Sequence, residues 1–327
     1  MIARRRIVIA IGAGVLAAPL AAFAQQRKVR RIGFLLESEQ SYFLPRFDAF
    51  KAGMSALGYA EGRDYVTELR SAQSDFARLP ALAAELVAVK VDVIVSSGTP
   101  SAVAASKATR EIPILLTTAG DPVGSGLAAA LARPGGNVTG LTGIGSELNT
   151  KRLDLLRQLL PRMHRVGLLY DPNNQSNMLT LTRFESDCGK LQLLSIRAPA
   201  RKAEEIAAAF KILARNKAQG LLVSANSTNL ASRAGIVEYA AKHRLPAAYG
   251  GSNYAEAGGL ISYASDYSDL YRRAAAYADK IFKGAKPGDL PIEQPTRFEF
   301  VLNMKTAKAL GLKIPGSILV QATKVIE

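Results

Sequence analysis

The chain has 327 residues, room for roughly two domains, and its 48% apolar and 21% charged content is that of a globular protein. One cysteine and two histidines exclude an internal disulfide, a paired-cysteine redox or zinc module and a His-rich metal site. The net charge of +15 is spread without a block of five or six basic residues, as on a solvated face and not a nucleic-acid footprint.

The first elements in chain order are those of an export signal. Arg4, Arg5 and Arg6 precede an uncharged, mostly apolar run from Ile7 to Ala21, followed by Ala22-Phe23-Ala24. This layout predicts a signal peptide over residues 1–24, cleaved after Ala24. The run is short for a membrane anchor, which needs ~20 apolar residues. No later run is long enough to span a bilayer, so a soluble periplasmic product is expected.

Past residue 30, short apolar runs alternate with helical patterns. The predicted strands are Arg31–Leu36, Val91–Ser96, Ile112–Thr117, Arg165–Tyr170, Gln219–Ser224 and Leu260–Ala264, with Phe298–Leu302 arriving late. Near-continuous apolar runs of this kind suit parallel strands buried on both faces. Leu44–Leu57, Leu79–Val87, Leu148–Leu160 and Ser268–Phe282 carry helical spacing. A further helix is expected after Asp121-Pro122. The alternation runs twice, predicting an α/β fold of two doubly wound parallel-sheet lobes joined by a hinge. The first lobe is expected to comprise residues 29–145 and 251–280, and the second 146–250 and 281–327.

Ligands of open α/β sheets bind beyond the carboxyl ends of the strands, at helix N-termini. The residues there are hydroxyls, amides, carboxylates and aromatics, with neither His nor Cys. Ser38, Tyr42 and Phe43 follow the first strand; Ser97, Gly98 and Thr99 the second; Thr118 and Asp121 the third. Asn173 and Asn174, then Asn226, Tyr249 and Asp266, follow later ones. Such a set suits a small polar or zwitterionic ligand. Free N–H groups of the helix opening at Thr99-Pro100 would hold a carboxylate, and Asp121 or Asp266 an ammonium. Tyr42, Phe43 or Tyr249 would cover an apolar side chain. The same residue types are also ordinary caps and turns. No nucleophile elbow, phosphate loop or zinc-protease helix is present. Gly124-Ser125-Gly126 mimics a dinucleotide loop but does not follow a strand directly. No catalytic residue, metal or cofactor is expected.

Several stretches resemble the ABC-transporter substrate-binding protein family that includes tryptophan- and other aromatic-amino-acid-binding members. They are Gly98–Ala102, Gly120-Asp121-Pro122-Val123-Gly124-Ser125-Gly126-Leu127, Ala132–Gly140, Tyr249-Gly250 with Glu256–Leu260, and Asp269–Ala275. Leu290–Thr296 and Lys305–Leu312 match as well, so the likeness spans the chain beyond the signal. It implies a type I periplasmic-binding fold whose lobes close over a small-molecule ligand and dock on ABC permease subunits in the inner membrane. It also implies a pocket built from the strand ends named above, and no reaction. A monomer is the expected state. The ligand's identity does not carry over, and Asn226-Ser227-Thr228-Asn229 departs from the commonest wording of that loop. Two other classes share the features seen here: a sensory binding protein that presents its ligand to a receptor, and an exported α/β hydrolase.

Overall fold

A computed structural model describes residues 28–327, so the expected signal peptide lies outside the described residues. The chain opens with β1 (Arg30–Leu36), α1 (Gln40–Ala56), β2 (Tyr65–Ser71), α2 (Leu79–Ala88), β3 (Val93–Ser96), α3 (Thr99–Ala108), β4 (Ile114–Ala119) and β5 (Val138–Thr142). Then come α4 (Gly145–Leu159), β6 (Arg165–Tyr170), α5 (Gln175–Lys190), β7 (Leu194–Pro199), α6 (Ile206–Arg215) and β8 (Gly220–Val223). The short α7 (Ser227–Ala231) precedes α8 (Arg233–Lys242), β9 (Ala247–Tyr249), α9 (Ser252–Glu256) and β10 (Ile261–Ser265). The chain ends with α10 (Tyr267–Phe282), β11 (Ile292–Glu293), β12 (Phe298–Asn303), α11 (Met304–Leu310), α12 (Gly316–Leu319) and β13 (Lys324–Ile326).

The described strands form two sheets. The first is all parallel, in the order β11-β5-β4-β3-β1-β2. The second runs β13-β12-β10-β9-β8-β6-β7 and is parallel except for the antiparallel β10–β12 pair. Both sheets are doubly wound: strand order reverses between β1 and β3 in one and between β6 and β8 in the other. Central strands such as β3 and β8 are buried along their whole length, which is why they are continuous apolar runs. Among the described residues, no helix is long and apolar enough to cross a membrane.

Each lobe has helices on both faces of its sheet. In the first, Phe34 of β1 meets Phe43, Phe47 and Phe50 of α1 at ring-centroid distances of 5.2–5.4 Å. Helix α10 packs against α1 so closely that a Cβ on Gly53 would strike the Arg272 carbonyl and Ala275. In the second lobe, Leu153, Leu156 and Leu159 of α4 pack with Leu168 of β6 and Leu222 of β8. Cys188 is buried there, and burial pushes its thiol up to about 12.

The sequence boundaries need two changes. Strand β10 lies within 251–280 but pairs with β9 and β12 of the second sheet, while α10 belongs to the first lobe. Strand β11 lies within 281–327 but extends the first sheet beside β5. The physical reason is that a short apolar strand carries no local mark of the sheet it joins. The chain therefore crosses between lobes near residues 143–145, 265–267 and 294–297. These crossings are tied together: Ser265 Oγ donates to the Gly143 carbonyl at 3.3 Å, and the Asp266 amide to that of Arg297 at 3.0 Å. Ile144, within the first crossing, has φ 41°, a left-handed conformation unfavourable for a β-branched residue. The stretch after Asp121-Pro122 forms turns and not the expected helix. Its glycines explain this, with Gly126, Gly135 and Gly136 at φ of 72°, 69° and 65°.

Candidate ligand-binding cleft

The carboxyl ends of both sheets' central strands face one cavity of about 100 Å³ between the lobes. It lies at the switch points β1/β3 and β6/β8, where open α/β sheets leave a crevice. Among the residues expected from sequence, Ser38, Phe43, Ser97, Gly98, Thr99 and Thr118 line it from the first lobe. Asn174 and Asn226 line it from the second.

Five expected residues are elsewhere. Tyr42 sits at the rim, where the Arg233 guanidinium of α8 covers its ring at 4.9 Å. Asp121 accepts the Gly124 amide at 2.8 Å and holds a turn. Asn173 donates its amide to Asp171 Oδ1 at 2.8 Å and is absent from the cavity wall. Tyr249 is buried in the second lobe's core, stacked on Tyr254 at 4.9 Å. Asp266 caps α10 by accepting the Asp269 amide at 2.9 Å. In these positions capping and packing account for the residue types.

The first lobe's wall is organised by Glu37, 4% exposed. Its Oε1 accepts both the amide and the hydroxyl of Ser101 at 3.0 Å, within the first turn of α3. The protein's own carboxylate thus occupies the helix opening expected to hold a ligand carboxylate. Such an opening favours negative charge, and a side chain one strand away reaches it first. Gly98 makes room for it: a Cβ there would lie 2.5 Å from Glu37 Oε1. Glu37 Oε2 accepts the Ser227 hydroxyl at 2.8 Å, a hydrogen bond between the lobes. Burial raises the Glu37 carboxyl above its ordinary value, and hydrogen bonds from Ser101 and Ser227 oppose the rise. The neighbouring hydroxyls are engaged too. Ser97 Oγ accepts the Glu37 amide at 3.0 Å, Thr118 Oγ1 donates to the Ser97 carbonyl at 2.7 Å, and Thr99 Oγ1 accepts the Gly120 amide at 3.1 Å.

In the second lobe, Asn174 caps α5 by accepting the amides of Ser176 and Asn177 at 3.0 and 3.3 Å. Asn226 caps α7 through the Asn229 amide at 2.7 Å and donates to Asn177 Oδ1 at 2.7 Å. Beneath them the fully buried Asp171 accepts the Thr228 hydroxyl at 3.0 Å, and burial raises its carboxyl.

Arg152 of α4 also lines the cavity, 1% exposed. Its Nε donates to the Tyr263 carbonyl at 2.7 Å and its Nη1 to Asn149 Oδ1 at 3.3 Å. Its buried Nη2 has no partner among the described residues. Burial pushes the guanidinium down to about 10. Sequence reasoning missed Arg152, although a signal existed. Leu148, Arg152, Leu155 and Leu159 share one apolar helix stripe, where an arginine is out of place unless it serves the interior. Tyr254, buried at the same cavity, was missed as well, because α9 is too short for its period to show.

Residues 40–326 match the sequence profile described as "ABC transporter substrate binding protein". The chain belongs to that family. As a family member it is a solute-binding protein of the ABC-transporter type, and its relatives are substrate-binding proteins and not enzymes. A curated relative, the "Tyrosine-binding protein" of Clostridioides difficile, is 28% identical over 273 residues, 82% of this chain and 78% of that protein. A solved Streptococcus pneumonia ABC domain in complex with L-Trp is 25% identical with a TM-score of 0.85, covering 91% of this chain and all of that one. A ligand-free, open substrate-binding protein from Clostridium difficile has a TM-score of 0.67 at 24% identity, covering 91% of this chain and 99% of that one. The family and these neighbours have the type I periplasmic-binding fold, as the sequence resemblance implied.

Proposed function

We propose that residues 25–327 form a periplasmic, monomeric binding protein that captures an amino acid between its lobes and delivers it to an ABC permease. Aromatic amino acids rank first, since the tyrosine-binding relative and the L-Trp complex resemble this chain over most of its length. The observation that carries the capture role is the cavity at both switch points, spanned by the Glu37–Ser227 hydrogen bond. A clamp of two lobes needs contacts between them when it closes, and this hydrogen bond joins the two lobes across the cavity. The rings of Phe43 and Tyr267 in the wall suit an apolar or aromatic side chain. The N-terminal signal supports export, and delivery to a permease follows from the family's role.

A thermal-shift screen of unfolded-and-refolded residues 25–327 tests the reading. The panel holds the standard amino acids, simple sugars and polyols. Ligand at a hundredfold excess over its dissociation constant stabilises the native state by about 2.7 kcal/mol, a shift of a few degrees. The expected result is a rise with one or a few L-amino acids and none with sugars. Well-folded protein that no amino acid stabilises contradicts the proposal.

A further inference from the structure

Accepting that this cleft takes an amino acid, we infer that its carboxylate is bound by the second lobe at Arg152, assisted by Tyr254 and Ser224, and that Arg152 sets selectivity for acids over amides. Buried polar groups in folded proteins are almost always hydrogen-bonded, so each exception asks for a partner. Arg152 Nη2, Tyr254 Oη and Ser224 Oγ are all buried and all without one among the described residues. The three residues line the same cavity. Other polar groups of the wall are engaged: Glu37, Ser97, Thr99, Thr118, Asn174 and Asn226 have partners within the protein, and the Arg46 guanidinium lies over the Tyr267 ring at 4.8 Å.

The chemistry of the unpaired set is selective. A guanidinium offers only donors, in a planar fork that matches a carboxylate. The two hydroxyls can donate alongside it. Arg152 already spends Nε and Nη1 on neutral oxygens, so its positive charge is uncompensated by either. A buried charge in that condition is costly until a counter-charge arrives. A ligand carboxylate would supply the charge and accept the open donors. A primary amide would present its own N–H groups to donors, and an amine would present nothing. In the first lobe the α3 opening is already filled by Glu37, and the Arg46 guanidinium is spent over the Tyr267 ring.

The test is calorimetric titration of ligand-stripped residues 25–327 with the twenty standard L-amino acids and their primary amides. The wild type should bind at least one acid and bind its amide about a hundredfold more weakly, the upper end of what one buried group left without a matching partner costs. Arg152→Met should lose about a hundredfold for the acid and no longer tell acid from amide. Arg152→Lys should keep part of the preference, and Tyr254→Phe should lose several-fold. If Arg152→Met does not fold, the wild-type comparison of acid and amide still decides. Equal wild-type affinity for acid and amide overturns the anchor and leaves the amino-acid reading standing. So does a folded Arg152→Met that binds the acid as the wild type does. If no amino acid binds, that reading fails, and sodium acetate against acetamide becomes the probe. Stabilisation by acetate alone, absent in Arg152→Met, then supports the anion site, and no stabilisation overturns it.

Discussion

The two walls of the cleft treat their buried charges in opposite ways. On the first lobe, Glu37 is charge-compensated from within by the N-terminus of α3 and by hydroxyls of both lobes. On the second, Arg152 keeps its Nη2 without a partner among the described residues, and the hydroxyls of Tyr254 and Ser224 in the same wall are likewise unpartnered. A wall that satisfies itself is scaffold, and a wall that does not is waiting for something. The same division explains why sequence-expected residues such as Asn174 and Asn226 reach the cleft yet spend their side chains as helix caps.

The comparison breaks first at Glu37. Glu37→Ala should destabilise the ligand-free protein by about 2–4 kcal/mol in urea unfolding. It strips charge-assisted hydrogen bonds from the Ser101 amide and Ser227 and opens a cavity. An unchanged midpoint would mean that the first wall is not built on this carboxylate. Gly98→Ala should cost about 1–3 kcal/mol by pressing a methyl group against the carboxylate. Combined with Glu37→Ala it should cost less than the sum, because the two share one clash. Additive losses would remove the argument that Gly98 exists to make room.

The pH dependence sharpens the same point. The Glu37 carboxyl is raised in the folded protein above its ordinary 4.5. From that value upward to the folded one, the native state therefore holds more protons than the unfolded. Its contribution to stability is greatest when protonated and declines as pH rises through this window, then levels off. Glu37→Gln should flatten that part of the profile. Asp171, raised for the same reason, should leave a smaller slope of the same sign in the variant. Identical profiles for wild type and Glu37→Gln would assign the slope elsewhere. The smallest effect is expected at the rim, where Tyr42→Ala removes the stack with Arg233. An exposed cation–π contact is worth about 0.5–1 kcal/mol, so ligand release should quicken only several-fold. Release slowed or unchanged would mean that this contact does not hold the lobes together.

Much of the fold was legible in sequence because central parallel strands must be apolar throughout. Arg165–Tyr170 matches β6 residue for residue. Strands β2 and β7 were missed for the converse reason. Each is a sheet edge, half-exposed and polar enough to read as loop. Their absence from the sequence reading, and the misplaced β10 and β11, reflect pairings between residues far apart in the chain. At the cleft, strand-end position was a good guide to which backbone faces the cavity and a poor guide to which side chains are free. Asp121 and Asp266 look like ammonium partners in sequence, and each is consumed by a backbone amide three residues on. Arg152 looks like one more surface arginine until its place on the apolar stripe of α4 is noticed.

The most direct test of the two-wall account is urea unfolding of Arg152→Met beside the wild type, with and without saturating ligand from the amino-acid screen. Arg152→Met relieves an uncompensated buried charge but leaves the Tyr263 carbonyl and Asn149 Oδ1 without their donor, two opposing terms of similar size. The account therefore predicts that the ligand-free variant unfolds within about 1 kcal/mol of the wild type and, at a hundredfold excess of ligand over the wild-type dissociation constant, gains about 0.4 kcal/mol where the wild type gains about 2.7. A variant that is destabilised by several kcal/mol without ligand, yet stabilised by it as much as the wild type, would show Arg152 to be scaffold and would contradict the account.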